Sequence, residues 1–334
     1  MSSMLEQIMS KAAALKKRIV LCEGEDKRVV AAAAKITKEG IAKVVLIGNK
    51  EECKQVAPEV TLDGIEIVDP ATSPLLEKYS KILYEARKEK GMTEEMAAVA
   101  AKDRTMFGAL MLKAGDVDGY VSGACHSTAN TLRPGLQVIK TAPDAKLVSS
   151  CFIMVPPEGG NLFCPDGMVT FGDCALNIQP SAEDLAEIAI ASAKTAKAIC
   201  GIEPRVAMLS FSTLGSGSDA KCGNSVGKVS EAVKIAKQKA PDLMIEGEIQ
   251  FDAALVPSVA GIKAPSSPVA GKANVLIFPD INSGNIGYKI AERLGRFTAI
   301  GPICQGFAKP LNDLSRGCSV DDIVLAVAVT ALQQ

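Results

Sequence analysis

The stretch RIVLCEGEDKRVVAAAAKITKEGIAKVVLI, residues 18–47, contains the pattern that decides the fold. Its first apolar run, residues 18–22, predicts a strand. Residues 25–39 predict a helix that ends at Gly40, because glycine is favoured just beyond a helix C-terminus. A second apolar run follows at 43–47. This strand, helix and strand order predicts an α/β protein with mostly parallel strands.

The same alternation continues along the chain. Further strands are predicted at residues 65–68, 117–122, 147–155, 161–164, 205–211, 243–246, 274–278 and 298–301. Further helices are predicted at residues 74–90, 93–114, 181–200, 226–239, 283–294 and 323–332. Two β-rich runs around PPEGG predict a hairpin near 147–165, where a second domain begins. Ser181 and Asp184 form the pattern of a capping box.

Composition excludes several classes of function. The 334 residues suggest about two domains. A net charge of -1 and 4% aromatic residues argue against a nucleic-acid surface or an anionic membrane as partner. Ten scattered cysteines without a CxxC pair and no signal peptide predict a reducing cytoplasm, and no apolar run reaches the roughly 20 residues of a membrane span. One histidine, His126, excludes a multi-histidine metal site.

Residues 122–135 are interpreted as a loop that follows a strand and precedes a helix, with Pro134 in the first helical turn. Open α/β sheets bind ligands at such positions. The loop offers hydroxyls, an amide and a guanidinium that together predict an anion site, at Ser127, Thr128, Asn130, Thr131 and Arg133. The alternative is a polar turn with a helix cap. His126 in this loop is interpreted as a hydrogen-bonding scaffold more readily than as a general base.

Two further loops carry weaker signals. Residues 212–225 contain Ser212 and Gly215 in a glycine-rich run whose spacing is not that of a phosphate-binding P-loop. Residues 279–287, which include Ser283 and Asn285, follow a strand and precede a helix. A mobile surface loop explains the first equally well, and ordinary helix capping explains the second.

The stretch NDLSRGCSVDDIV, residues 312–324, places a hydroxyl, a guanidinium, a thiol and two carboxylates just before an apolar helix, at Ser315, Arg316, Cys318, Asp321 and Asp322. This density of polar groups predicts a site at the start of the helix. The alternative is that these polar residues only cap the helix, and Ser319 with Asp322 indeed fits a capping box.

Four motifs together resemble the phosphate acetyl/butyryltransferase family, and within it the phosphate acetyltransferases, also called phosphotransacetylases. They are HSTANTLRPGLQ (126–137), SFSTLGSGS (210–218), PDINSGNIGYK (279–289) and NDLSRGCSVDDIV (312–324). The resemblance runs in order over nearly the whole chain. The butyryl-transferring members match the last motif less well.

The resemblance implies an acyltransferase of acetate metabolism, which converts acetyl-CoA and phosphate reversibly into acetyl phosphate and CoA. CoA is then a substrate, and no other cofactor or metal is implied. The implied fold is two three-layer α/β domains with a cleft between them, like isocitrate and isopropylmalate dehydrogenases. The domains would be residues 1–145 with 303–334, and residues 146–302. A cytoplasmic homodimer, coupled in function to acetate kinase, is also implied.

The resemblance also implies roles for individual residues. Ser315, Arg316 and Asp322 match the family's catalytic residues. The predicted anion site at residues 127, 128, 130, 131 and 133 would bind phosphate or acetyl phosphate. Arg87 and Arg133 would bind CoA. Residues 212, 215, 283 and 285 are expected in the loops around the substrates.

The chemistry leaves alternatives open. A free thiol has a pKa of about 8.5 and a free aspartic acid about 3.9, so an unperturbed carboxylate is a weak base for the CoA thiol. We nevertheless expect Asp322 to accept this proton, with Arg316 stabilising the thiolate. The rival mechanism uses Cys318 as a covalent acyl carrier. Alternative functions are a phosphate butyryl- or propionyltransferase, a noncatalytic acyl-CoA-binding regulatory domain, and a metal-dependent dehydrogenase, for which no carboxylate cluster is found.

Overall fold

The computed structural model of the chain describes residues 4–157, 163–164, 166–221 and 223–333. These residues form two compact units. The first contains Met1–Pro143 and Phe307–Gln334, and the second contains Asp144–Gly306. Both units are α/β, which confirms the predicted fold class.

Helices and strands alternate along both units. Up to residue 143 they are α1 (Met4–Leu15), β1 (Arg18–Leu21), α2 (Lys27–Glu39), β2 (Lys43–Ile47), α3 (Lys50–Val56), β3 (Glu66–Val68), α4 (Leu76–Arg87), α5 (Glu94–Ala100), α6 (Arg104–Ala114), β4 (Gly119–Ser122) and α7 (Thr128–Pro134). The rest are β5 (Ser149–Val155), β6 (Val169–Gly172), α8 (Ala182–Cys200), β7 (Arg205–Leu209), α9 (Ser225–Lys239), β8 (Met244–Ile249), α10 (Phe251–Leu255), α11 (Pro257–Lys263), β9 (Val275–Ile277), α12 (Ile281–Arg293), β10 (Thr298–Gln305), β11 (Leu311–Asp313) and α13 (Val320–Leu332). A 3-10 turn at Lys88–Lys90 follows α4, and a π-helix at Gly135–Ile139 follows α7.

The first unit is built on a parallel sheet with the strand order β11-β4-β1-β2-β3. Its central strands are mostly apolar and buried, as expected for a parallel sheet covered by helices on both faces. Ile19, Val20, Tyr120 and Val121 are fully buried. Since β11, β4 and β1 are neighbours and parallel, the loops that follow these three strands leave the same edge of the sheet.

Helix α13 covers this sheet and packs against α1 and α2. Ile323, Val324 and Val327 are almost completely buried, and each such side chain contributes about 1.5–3 kcal/mol relative to exposure. The side-chain amide of Asn312 in β11 donates to Thr330 Oγ1 at 2.7 Å and to Gln333 Oε1 at 2.6 Å. These contacts join the last strand to the last helix, and the segment 314–319 connects them.

The second unit has a mixed sheet with the order β10-β5-β6-β9-β7-β8. Strands β6, β9, β7 and β8 are parallel, whereas β5 pairs antiparallel with both β6 and β10. Helices α8 and α9 cover one face of the sheet with an apolar layer that includes Leu185, Ile188 and Val229. The other face carries a separate apolar layer that includes Phe171 and Ile249.

Several local predictions were wrong. The helix predicted at 93–114 is two helices, because Asp103 caps a new start by accepting from the amide of Met106 at 2.9 Å. Residues 128–134, predicted as loop, form α7, with Ser127 as its N-cap and Pro134 at its end rather than in the first turn.

The hairpin also differs from the prediction. Strand β5 pairs with β6, which starts at Val169. Of the predicted second arm at 161–164, residues 161 and 162 lie outside the described residues, and residues 163 and 164 are not in a strand. Strand β10 extends to Gln305, beyond the predicted end at 301. The short elements α1, α3, α10, α11, β6 and β11 were not predicted.

Candidate functional site

The three loops that follow β1, β4 and β11 are held together by buried charges. Glu23, two residues after β1, is 0% exposed. Its Oε2 accepts from the amides of Gly123 and Ala124 at 2.9 and 2.8 Å, and its Oε1 accepts from the amide of Cys125 at 2.8 Å. The Nδ1 atom of His126 lies 2.7 Å from the same Oε1. Four donors thus satisfy one buried carboxylate, which sets the path of the β4–α7 loop.

Arg28 connects all three loops. Its Nη2 donates to the carbonyl of Ala124 at 2.9 Å, and its Nη1 donates to the carbonyls of Arg316 at 2.9 Å and Cys318 at 3.0 Å. Asp26 holds the guanidinium through Nε at 3.0 Å and Nη2 at 2.8 Å. Burial alone raises the pKa of Asp26, but the hydrogen bonds from Arg28 and from the Cys125 thiol lower it overall to about 2. Asp26 is therefore an ionised partner of Arg28 at neutral pH.

Asp313, the last residue of β11, is a second buried carboxyl group at this edge. It is 2% exposed, and its Oδ2 accepts from Thr128 Oγ1 at 2.6 Å. Gly123 lies directly against its Oδ1. A Cβ at position 123 would be 2.3 Å from that oxygen, and the φ of +116° also favours glycine. The contact between these residues joins the β4 and β11 loops.

Three buried polar atoms near Asp313 are unsatisfied. Among the described residues, Asp313 Oδ1 and the hydroxyls of Ser122 and Thr131 form no hydrogen bond of good length and angle, although the Thr131 hydroxyl lies near the Asp313 carboxyl and that of Ser122 near Tyr120. Ser122 is the register partner of Asp313 in the sheet. Burial raises the pKa of Asp313 to about 6, and the neighbouring hydroxyls of Thr128 and Thr131 offset part of the rise. A protonated Asp313 can donate to a hydroxyl, whereas the ionised form leaves a charge poorly compensated.

The segment after β11 presents the predicted catalytic residues to solvent. Ser315 and Arg316 are exposed, and Ser315 Oγ accepts from the amide of Gly317 at 3.3 Å. The guanidinium of Arg316 forms no ion pair with any described residue, and neither do those of Arg87 and Arg133. Arg28 and Arg104, by contrast, are paired with carboxylates. Arg87, Arg133 and Arg316 are therefore available to bind an anion.

The predicted capping box at the start of α13 is confirmed. The amide of Ser319 donates to Asp322 Oδ2 at 2.8 Å, and the amide of Asp322 donates to Ser319 Oγ at 3.2 Å. Both residues are exposed. The neighbouring Asp321 pairs instead with Lys35 at 2.7 Å. The cap thus uses Oδ2 of Asp322, which lies seven residues after Ser315 in the chain.

Cys318 is buried and 6% exposed. Burial raises the pKa of its thiol to about 11, although the nearby Arg28 guanidinium lowers it in part. At neutral pH such a thiol is almost entirely protonated, and the thiolate is the reactive form. These properties disfavour Cys318 as an acyl carrier.

The predicted anion-loop residues have different environments. Ser127 caps α7 by accepting from the amide of Asn130, whose side chain is exposed together with that of Thr128. Arg133 is exposed near the end of α7. Thr131 is 0% exposed, so its hydroxyl faces the buried cluster around Asp313 instead of solvent. Thr131 thus supports the loop rather than offering a surface contact.

The predicted residues of the second unit make internal contacts. Ser212 Oγ donates to Glu248 Oε1 at 2.9 Å, and the amide of Gly215 donates to the same oxygen at 2.6 Å. Ser283 Oγ donates to the carbonyl of Asp280 at 2.8 Å. Asn285 Nδ2 donates to the carbonyl of Cys174 at 3.0 Å. The contacts of Ser212, Gly215 and Asn285 join their loops to distant parts of the second unit, whereas that of Ser283 is local.

Sequence reasoning missed the four charged residues that organise the first unit, namely Glu23, Asp26, Arg28 and Asp313. A usable signal was present, because charged residues directly follow the apolar runs of β1 and β11. In the described ranges no group of three or more His, Cys, Asp or Glu side chains is placed to share a metal ion. No described helix combines the length and apolar character of a membrane span.

The Asp313 carboxyl makes the stability of the chain depend on pH. Its pKa is raised from 3.8 to about 6 in the folded state, so the stabilisation is complete below about 3.8 and is lost as the pH rises through 6. We expect Asp313→Asn to abolish this loss. As the pH rises from 4.5 to 8, the wild type should lose about 2 kcal/mol of unfolding free energy that the variant does not lose.

Urea unfolding of both proteins across this pH range measures the effect. Asp242→Asn, which removes an exposed carboxyl group of the second unit, controls for the change in net charge. Stability curves of wild type and Asp313→Asn that remain parallel from pH 4.5 to 8 would contradict the prediction.

Comparison with known proteins assigns the family. The family model for phosphate acetyl/butaryl transferase matches residues 3–331. The chain is 52% identical over 332 residues to phosphate acetyltransferase of Clostridium acetobutylicum, covering 99% of this chain and 98% of the relative. It is 53% identical over 331 residues to phosphate acetyltransferase of Thermoanaerobacterium thermosaccharolyticum, covering 99% of each.

A solved structure agrees with these relatives. The crystal structure of a phosphotransacetylase from Streptococcus pyogenes superposes with a TM-score of 0.89 at 45% identity, covering 98% of this chain and 97% of that one. The resemblance inferred from the four sequence motifs is confirmed. The chain belongs to the phosphate acetyl/butaryl transferase family.

Proposed function

We propose that the chain is a phosphate acetyltransferase that transfers an acetyl group reversibly between CoA and orthophosphate. The observation that carries this proposal is the exposed pair Ser315 and Arg316, on a segment that Arg28 fixes at the carboxyl edge of the first sheet. An uncommitted guanidinium beside a hydroxyl suits a phosphoryl group and the charge that develops on a carbonyl oxygen. High identity to phosphate acetyltransferases over the whole chain supports the acetyl donor.

Each predicted residue receives a role in this reaction. Arg316 binds the phosphate of acetyl phosphate and stabilises the carbonyl oxygen in the transition state, and Ser315 orients the same group. Asp322 accepts the proton of the CoA thiol. Ser127, Thr128, Asn130 and Arg133 bind phosphate, with Thr131 behind them. Arg87 and Arg133 supply positive charge for CoA, which is a substrate rather than a resident cofactor.

Direct transfer between the two substrates is the mechanism we favour. The CoA sulfur attacks the carbonyl carbon, and the bond from that carbon to the phosphate oxygen breaks. The rival acyl-enzyme would require a reactive thiolate at position 318. Burial and a pKa of about 11 oppose it.

Rates with a series of acyl phosphates test the proposed function. We expect kcat/KM for thioester formation with CoA to be highest for acetyl phosphate and to fall for propionyl and butyryl phosphate. Each extra methylene is worth about 1–3 kcal/mol in a pocket of fixed size. A preference for butyryl or propionyl phosphate would favour the corresponding acyltransferase. Binding of CoA with no thioester from any of the three would favour a noncatalytic acyl-CoA-binding domain.

Two matched variants separate the base role of Asp322 from its capping role. Asp184 forms the same capping box with Ser181 at the start of α8. We expect Asp322→Asn and Asp184→Asn to lose similar stability, about 0.5–2 kcal/mol, since each weakens one cap. Only Asp322→Asn should also lose turnover, by about 100-fold or more.

Initial rates and urea unfolding of both variants make the comparison. If Asp322→Asn loses stability but keeps near-normal turnover in its folded fraction, Asp322 is a cap and not the base.

We also propose that two copies associate in the cytoplasm, where acetyl phosphate would couple the enzyme to acetate kinase. On α12 and its C-cap, Ile286, Ile290 and Leu294 are 58%, 53% and 82% exposed, and their spacing of four places them on one helix face. Nine cysteines in the described ranges are thiols outside any disulfide bond, which suits a reducing compartment. Sedimentation velocity should give about twice the chain mass of 34.8 kDa, and a monomer would contradict the dimer.

A further inference from the structure

The only histidine of the sequence occupies a defined position at the carboxyl edge of the first sheet. His126 follows the three amides that Glu23 binds and precedes Ser127, the N-cap of α7. Its Nδ1 lies 2.7 Å from Glu23 Oε1, and its side chain is 30% exposed while that of Glu23 is 1% exposed. One nitrogen of the ring is therefore held from the protein interior.

The contacts of Glu23 determine the direction of this hydrogen bond. Both of its oxygens already accept from backbone amides, so the carboxylate acts only as an acceptor. Nδ1 of His126 must then carry the hydrogen. Nε2 remains for other chemistry, and no described residue hydrogen-bonds to it. A buried carboxylate that orients an imidazole through Nδ1 leaves Nε2 positioned to exchange a proton.

The loop of His126 is fixed to the segment of Ser315 and Arg316. Arg28 binds the carbonyl of Ala124 on one side and the carbonyls of Arg316 and Cys318 on the other. Thr128 Oγ1, two residues after the histidine, donates to Asp313 at 2.6 Å. The imidazole and the uncommitted guanidinium of Arg316 thus belong to loops that are held together at the same sheet edge.

The reaction requires a proton at the phosphate. In the direction of acetyl-CoA formation, the thiol loses a proton, the S–C bond forms and the C–O bond to phosphate breaks. Orthophosphate leaves as HPO₄²⁻, so one proton must reach the departing oxygen. In the opposite direction, HPO₄²⁻ must give up that proton as it attacks the thioester carbonyl. An imidazole can donate a proton from one ring nitrogen and accept it back, so one group can serve both directions.

We propose that His126 is a catalytic residue that donates the Nε2 proton to the departing phosphate oxygen and accepts it again in the reverse direction. Glu23 is its positioning residue. The inference rests on the proposed acetyl transfer to phosphate. It adds a group for the phosphate end of the reaction, whereas Asp322 acts on the thiol. The other charged or titratable groups at this edge include Glu25, Asp26, Arg28, Cys125, Asp313, Arg316, Cys318 and Asp322.

The first experiment follows the His126 imidazole directly by NMR. In the untagged full chain, the Cε1–H group of histidine gives a single NMR correlation, because the sequence has one histidine. We expect inorganic phosphate to move this resonance and to shift its titration midpoint to higher pH, since a bound dianion favours the protonated ring. Sodium chloride at equal ionic strength is the control. An identical titration curve with and without phosphate would overturn the inference.

The second experiment separates catalysis from loop support. His126→Asn places an amide N–H near the position of Nδ1, so it can still donate to Glu23, and it removes Nε2. We expect stability close to that of the wild type and a loss of kcat of about 100-fold or more, the usual contribution of a general acid. Cys125→Ser changes the neighbouring exposed residue and keeps a donor for Asp26, so its kcat should stay within about threefold of wild type.

The pH dependence supplies a readout that a purely structural role would not change. Wild-type kcat should fall at high pH for acetyl-CoA formation and at low pH for acetyl phosphate formation, and His126→Asn should lose both limbs. If His126→Asn keeps wild-type kcat and pH limbs while the wild type forms thioester, the inference is overturned and the proposed function stands. A wild-type chain that forms no thioester overturns both.

Discussion

The first unit depends on the burial of one carboxylate. Glu23 is completely inaccessible, and a buried charge without partners would cost several kcal/mol. Its four donors come from residues 123–126, which are about 100 positions away in the chain. Because these contacts satisfy the buried charge, they hold the β4–α7 loop against Glu23. The position of His126 and the start of α7 follow from that path.

The second unit uses the same physical solution. Asp173, at the end of β6, is 2% exposed and accepts from the amides of residues 175–177. Glu248, 4% exposed, accepts from the amide of Gly215 and from the hydroxyls of Ser212 and Ser230. Burial raises the pKa of Glu248, but these hydrogen bonds lower it overall. Amide groups in loops have no partner in a helix or sheet. In both units, buried carboxylates near strand ends accept hydrogen bonds from these loop amides instead.

This arrangement explains what could be predicted from the sequence. Strand β2, the end of α2 at Gly40 and both capping boxes depend on neighbouring residues, so local patterns predict them correctly. Glu23 and Asp313 depend on partners 100 and 185 residues away, which no local pattern contains. Arg28 donates to carbonyls 288 and 290 positions away, so the local pattern predicts only that it belongs to a helix. Short elements such as β11 are also set by distant pairing.

The predicted site residues divide in the same way. Ser315, Arg316 and Arg133 are exposed and free of ion pairs in the described ranges, as a binding role requires. Thr131 has the right side chain for an anion but a buried position, because α7 turns it towards β11. Ser212 donates to Glu248 of β8, and Ser283 donates to Asp280 within its own loop, so both hydroxyls already have protein partners. Residue type was a good guide to candidate chemistry, whereas exposure required the folded chain.

The two capping boxes show how one local motif can have two outcomes. At the start of α8, Asp184 Oδ2 accepts from both the amide and the hydroxyl of Ser181. At the start of α13, Asp322 Oδ2 accepts from the amide of Ser319, which leaves Oδ1 outside the cap. A carboxylate has lone pairs enough to cap a helix with one oxygen and accept a proton on the other. The capping role therefore fixes the orientation of Asp322 without excluding catalysis, and of the two caps only this one directly follows the exposed segment of Ser315 and Arg316.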